Sequence, residues 1–276
     1  MRRRPKQTSR FGTNNKAHGS KSLQTVLLFI VSAVLIALVG VANVIWKAEP
    51  VDERLCPKAG PEGFALILLD LTDEITPQQA SSIQTLVLDF VENAEPGTLF
   101  SVGRVVPEGQ QQDSIVQICK PRTGEVANEL YENPKLIADQ YQKNFLIPIR
   151  NAVEEMTAEP SAPNSPILES LQALVARTSG FRTLQTDGRS REVLIVSDLL
   201  QNSKNFSFYR GDSWVSFRDR GLANEISNSL RGAAVVWLEV TRNLRPQVRD
   251  DRFKFWKNYF DLAGVDLTKH EKIGNL

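Results

Sequence analysis

The apolar residues of this 276-residue chain fall into three patterns. The first is a run without charge, Ser22 to Trp46, 25 residues long. A helix rises about 1.5 Å per residue, so about 20 such residues cross the roughly 30 Å hydrocarbon layer of a bilayer. The second pattern is the short, continuous apolar run that marks a strand buried on both faces. Phe64–Leu69, Glu192–Ser197 and Ala233–Val240 read this way, and Leu99–Val106 and Ser114–Cys119 add two more strands. The third is apolar residues at helical spacing. Thr76-Pro77-Gln78-Gln79 supplies a cap, a first-turn proline and a capping box ahead of Ile83, Leu86, Val87, Phe90 and Val91. Asn133-Pro134 opens a long helix toward Met156, bent near Pro148. Ser165-Pro166 opens another, with Ile167, Leu168, Leu171, Leu174 and Val175 inward. Helices are also expected over 219–230 and 251–263, the latter burying a stripe of Phe253, Trp256, Phe260 and Ala263.

The order β-α-β-β-α-α-β-α-β-α predicts an α/β domain with an open, mostly parallel sheet and helices on both faces. The predicted organisation is a polar basic tail over 1–21, a transmembrane helix over 22–46, a linker over 47–61 and the α/β domain over 62–276. The polar loop Pro107–Asp113 suits a hairpin between the second and third strands, a Pro/Ser/Ala loop at Ala158–Pro166 separates two helices, and a long loop covers Leu199–Phe217.

Charge fixes the expected topology. Seven Lys/Arg and no Asp/Glu precede the apolar run, so the N-terminus is predicted to be cytoplasmic and the domain extracytoplasmic, periplasmic in a Gram-negative envelope. The run is longer than the apolar core of a cleaved signal peptide, about 7–15 residues. Of 33 Lys/Arg, the 26 beyond the seven stand against 32 Asp/Glu, so the exported part is acidic. That argues against nucleic acid as a partner, which needs clustered positive charge. Nothing points to a small-molecule substrate, and the expected partners are the membrane and another envelope protein. The two cysteines, Cys56 and Cys119, are far apart and not in a C-x-x-C pair. In an oxidising compartment they form a bridge; the alternative is two buried thiols.

Open α/β sheets place their sites beyond the carboxyl ends of the strands. The first strand ends in Asp70-Leu71-Thr72-Asp73-Glu74, and the strand at 192–197 ends in Ser197-Asp198. Asn164-Ser165 stands between them at a helix start. Oxygen-only donors of this kind suit a hard cation such as Mg²⁺ or Mn²⁺. These segments resemble the von Willebrand factor A-like fold and its metal-ion-dependent adhesion site. That family carries Asp-x-Ser-x-Ser after its first strand, a Thr in a later loop and an Asp ending its fourth strand. The resemblance assigns Asp70 to the first Asp, Thr72 to the first Ser, Ser165 to the loop Thr and Asp198 to the last Asp. Glu74 departs from the pattern, standing where the second Ser belongs. The resemblance implies a module that grips an acidic side chain of another protein through the metal. Capping roles compete: Ser165 suits a helix N-cap and Asp70 a turn.

Two other readings stay open. One is a metal-dependent hydrolase built on Asp70 and Asp198; the other is a structural envelope component with a vestigial site. No Gly-rich phosphate loop is present, and His18 and His270 lie near the two ends, so enzyme chemistry is not expected. Phe206, Phe208, Tyr209, Trp214 and Phe217 in the loop after Asp198 offer either a partner surface or a hairpin folded back around Arg210-Gly211-Asp212.

Overall fold

The computed structural model describes residues 19–45, 50–108, 110, 116–127, 132–158, 163–182, 188–223 and 230–274. The chain divides into two units, Met1–Glu49 and Pro50–Leu276. In the first, helix α1 covers Gly19–Ile45. Its large side chains stand exposed all around the axis, from Val26 at 55% to Phe29 at 72% and Ile36 at 73%. Among the described residues no helix is long and apolar enough to cross a membrane. Side chains of α1 are described over 25–41, inside the expected span of 22–46. Trp46, Lys47 and most of the basic tail lie outside the described residues.

The second unit is built on a six-stranded sheet in the order β3-β2-β1-β4-β5-β6. The strands are β1 (Gly63–Leu69), β2 (Thr98–Arg104), β3 (Val116–Cys119), β4 (Ser190–Ser197), β5 (Ala234–Val240) and β6 (Asp266–Ile273). All pairings are parallel except β2 with β3, which the short polar connection after Arg104 permits. Part of that connection, like part of the loop after Ala158, lies outside the described residues. The expected mostly parallel α/β sheet is therefore found.

Alternation along the strands sends successive side chains to opposite faces, which explains their continuous apolar runs. Phe64, Leu66, Leu68, Val193 and Ile195 face one core. There they meet Leu171 and Leu174 of α5 (Ile167–Arg177) and Phe255 and Trp256 of α7 (Pro246–Ala263). Ala65, Ile67, Leu69, Leu194 and Val196 face the other. Its cover is Ile83 and Val87 of α2 (Pro77–Asn93) and Ile149 and Val153 of α4 (Ile147–Ala158).

Local signals map onto local structure. The Thr76 hydroxyl accepts from Gln79 N–H and the Gln79 side chain accepts from Thr76 N–H, so the capping box is complete. The bend expected near Pro148 appears one turn earlier. Between α3 (Pro134–Tyr141) and α4 the backbone widens into a π turn over Gln142–Leu146, with Ile147 N–H donating to the Gln142 carbonyl. Pro148 has no N–H for the carbonyl four residues back and its ring would clash there, so the widened turn relieves both problems. Cys56 and Cys119 form the expected disulfide, which ties the segment before β1 to the end of β3.

Three expectations need correction. The last helix starts at Pro246, and its buried stripe is Phe255, Trp256, Tyr259, Phe260 and Ala263, while Phe253 is 45% exposed. Strand β6 was not expected, because its Asp266–Ile273 sequence is polar; as an edge strand it is mostly exposed. A helix over 219–230 is not found as one element. Helix α6 (Trp214–Asp219) ends at Asp219, a turn follows at Arg220-Gly221, Leu222 and Ala223 are helical, and residues 224–229 lie outside the described residues.

Candidate functional site

The strand order reverses between β1 and β4, the point at which open α/β sheets bind their ligands. Asp70 leaves β1 and Asp198 leaves β4 at this rim. Their neighbourhood is held by three bonds to the backbone at the end of β4 and just beyond it. Trp237 Nε1 donates to the Ser197 carbonyl at 2.9 Å, Trp256 Nε1 donates to the Leu199 carbonyl at 2.8 Å, and the buried Arg252 donates to the Asp198 carbonyl. Leu199 is held at φ 55°, a left-handed conformation that a leucine adopts only when its surroundings fix it.

Asp70 is buried and fully engaged. Its Oδ1 accepts from the hydroxyls of Thr72 and Ser165, each at 2.9 Å, and its Oδ2 accepts from the Ser197 hydroxyl at 2.6 Å. Ser165 reaches it because its loop pairs with the loop after β4: Ser165 N–H donates to Asn202 O at 3.0 Å and Asn202 N–H to Ser165 O at 2.8 Å. Ser165 is therefore not the cap of α5. The flanking position is Pro166, which provides no side-chain cap, and Leu168 N–H donates instead to Gln201 Oε1 at 2.9 Å. Ser197 also accepts from Leu199 N–H at 2.7 Å. A polar residue closing the apolar run of β4 is the sequence signal that would have marked it.

Asp198 lies beside this cluster. Its Oδ1 accepts from Leu200 N–H at 2.9 Å, and its Oδ2 is 3.4 Å from Arg242 Nε. Arg242, two residues past β5, also donates to the Glu74 carbonyl at 2.6 Å. It follows β5, outside the three segments that carry the resemblance, so the motif does not mark it. Burial, then the charge of Asp70, push the Asp198 carboxyl up to about 7 against the pull of Arg242. Burial also raises Asp70, opposed by the hydroxyls of Ser197, Thr72 and Ser165.

A cavity of about 270 Å³ opens here, lined by Thr72, Asp73, Asn164, Ser165, Asp198 and Tyr209 among others. Thus Thr72, Ser165 and Asp198 are brought together around Asp70. Glu74 is not among the lining residues: its side chain is exposed, and the neighbouring Asp73 lines the cavity instead. Among the described residues no group of three or more His, Cys, Asp or Glu side chains is placed to hold a metal. The donors present nonetheless fit a hard divalent cation that keeps several waters and takes few carboxylates. They are all oxygens, two of them carboxylates, of which Asp198 is paired with Arg242 and Asp70 with hydroxyls alone. Asn164 Oδ1, in the lining, is buried without a hydrogen-bond partner.

The aromatic loop mostly folds inward. Phe206 stacks on Phe255 with centroids 4.5 Å apart, Phe208 and Phe217 meet the same ring edge-on, and Trp214 stacks on Phe217. Phe206, Phe208 and Phe217 are therefore core, and only Tyr209, 67% exposed, is presented at the rim. Arg210-Gly211-Asp212 forms a turn with Gly211 left-handed; Asp212 accepts from Ser207 N–H at 2.9 Å and pairs with Arg220. His270 stacks on Trp237 and bonds Glu239 at 2.7 Å, away from the three hydroxyls. His18 lies outside the described residues.

No family model matches the chain. No curated protein matches it either. Among solved structures, it is similar to an aerotolerance-related membrane protein from Bacteroides fragilis carrying multiple mutations to serine. The identity is 9% and the TM-score 0.35, over 77% of this chain and 92% of that one. It is also similar to a von Willebrand factor type A protein from Catenulispora acidiphila, at 10% identity and a TM-score of 0.41, over 74% of this chain and 42% of that one. The chain thus spans less than half of the second structure.

Proposed function

We propose that this chain is a membrane-anchored, extracytoplasmic binding module that holds Mg²⁺ or Mn²⁺ at its sheet rim and grips another envelope protein there. The observation that carries the reading is the convergence of the Thr72, Ser165 and Ser197 hydroxyls on Asp70, with Asp198 and an oxygen-lined cavity beside them. Three separate chain segments supply these groups, and capping roles do not account for them. A bound divalent cation supplies charge that neutralises Asp70 and Asp198 and a position open to an acidic side chain. The chain's own residues do the rest. Ser165 and Thr72 fix Asp70, Leu200 N–H orients Asp198, and Tyr209 offers a rim contact to the partner.

Several features support a binding role over an enzymatic one. The Thr72, Ser165 and Ser197 hydroxyls each donate to Asp70 and none to a histidine that could activate it. His270 is engaged by Glu239. The anchor is supported by the uncharged stretch Ser22–Trp46, the seven preceding cations and the exposed apolar surface of α1. Within α1, Ser32 Oγ donates to the Phe29 carbonyl at 2.9 Å, so its hydroxyl is satisfied without water.

A ligand that binds only the folded state raises its stability, by about 2.7 kcal/mol at a hundred times its Kd. The full chain is expected to melt at a higher temperature with millimolar Mn²⁺ than with EDTA. Asp70→Asn, which removes the carboxylate and keeps its shape, is expected to lose that gain. Identical melting of the wild type in EDTA and Mn²⁺ refutes the metal reading.

A further inference from the structure

The two oxygens of Asp198 are committed unequally. Oδ1 accepts from Leu200 N–H at 2.9 Å, which leaves Oδ2 as the oxygen available to a ligand in the cavity. Arg242 already holds Oδ2, with Nε at 3.4 Å. The same side chain reaches the segment after β1 through Nη1, which donates to the Glu74 carbonyl at 2.6 Å. Arg242 therefore spans two of the segments that form the site, and its side chain is 22% exposed while that of Asp198 is 7% exposed. A guanidinium is always charged and forms a rigid fork of donors, so this is a permanent cation at a site rich in oxygen acceptors.

Resting on the reading proposed above, we infer that Arg242 is a tethered cation that competes with an incoming divalent ion for Asp198 Oδ2. It sets how tightly the site takes metal. Among the described residues, Asp70 and Asp73, the other carboxylates near Asp198, have no such tether: Asp70 is engaged by hydroxyls, and Asp73 is exposed. Metal entry requires Arg242 to give up its contact with Oδ2. Losing that contact also loosens the hold on the Glu74 carbonyl, so occupancy of the site and the conformation of the 71–75 loop are linked through one side chain.

The test measures Mn²⁺ binding to the full chain by the spin-resonance signal of the free ion. Arg242→Gln is expected to bind Mn²⁺ about tenfold more tightly than wild type, the scale of one partly buried charge contact. Arg245→Gln removes a charge three residues on, at the exposed start of α7, and is expected to change nothing. Arg242→Lys, which keeps the charge but not the fork, is expected to fall between and serves if the Gln variant does not fold. In an Asp198→Asn background, Arg242→Gln is expected to bring no gain. Equal or weaker binding by the Gln and Lys variants overturns the inference and leaves the metal reading standing. So does an equal gain in Arg245→Gln. Absence of Mn²⁺ binding in every variant overturns both.

Discussion

Removing the charge of Asp198 tests the electrostatics of the rim directly. In the metal-free protein its carboxyl is pushed up to about 7, against an ordinary value of 3.8 in the unfolded chain. Between those two values the folded protein holds a proton that the unfolded chain has released. The unfolded state then binds fewer protons, so stability falls as pH rises. The contribution is complete below about 4 and is lost as pH passes through about 7. One proton is worth about 1.4 kcal/mol per pH unit. Across pH 5–7 the wild type in EDTA is therefore expected to lose about 3 kcal/mol, or roughly 6 °C in Tm for a domain of this size. Asp70 is displaced in the same direction, by burial. Asp52, Asp212 and Glu239 are displaced downward, so their effects lie in more acid solution. Asp198→Asn keeps the volume and an acceptor for Leu200 N–H. It is expected to flatten the profile and to exceed wild type at pH 7.5 by about 2 kcal/mol, after about 1 kcal/mol is allowed for the lost contact with Arg242. Urea unfolding followed by tryptophan fluorescence provides the measurement. A wild-type profile that is level or rises over pH 5–7 refutes the reasoning.

Arg252→Met removes a cation that is 2% exposed, leaving Glu239 with one fewer partner and the Asp198 carbonyl without its donor. A loss of about 3–5 kcal/mol in urea unfolding is expected, and a loss below about 1 kcal/mol contradicts the clamp described for the rim. The Cys56–Cys119 bridge closes a sequence separation of 63 residues, worth about 4 kcal/mol by chain entropy. Thiol trapping in intact cells is expected to find it oxidised; two free thiols there refute the extracytoplasmic placement, and reduction of the purified protein lowers its unfolding midpoint.

The sheet was legible because β1 and β4 are buried on both faces and carry unbroken apolar runs, and because Thr76 to Gln79 form a capping box with local meaning. Asp70, Ser165 and Asp198 were legible for a topological reason: each follows a strand or opens a helix at the rim. The same logic applied to β5 leads to Arg242. It was overlooked because its charge is useful only through a neighbour 44 residues away, Asp198. Glu74 was assigned by the spacing of a motif, whereas the chain bends at Asp73 and turns that carboxylate to the cavity. The loop aromatics were ambiguous since alternation with Arg and Lys fits a surface equally well. What decides it is Phe255, whose exposure the expected stripe on α7 misjudged. Strand β6 pairs along one side only, so its polar side chains resemble a solvated tail.

The Cys56–Cys119 bond has a mechanical corollary. Tension applied between the α1 end and the C-terminal end of the chain enters the second unit at Pro50 and meets Cys56 six residues later. From there the shortest covalent route jumps to Cys119, bypassing 57–118. Asp70 and Thr72 lie within that bypassed loop, so such a pull does not stretch their backbone, while Ser165 and Asp198 remain on the loaded route.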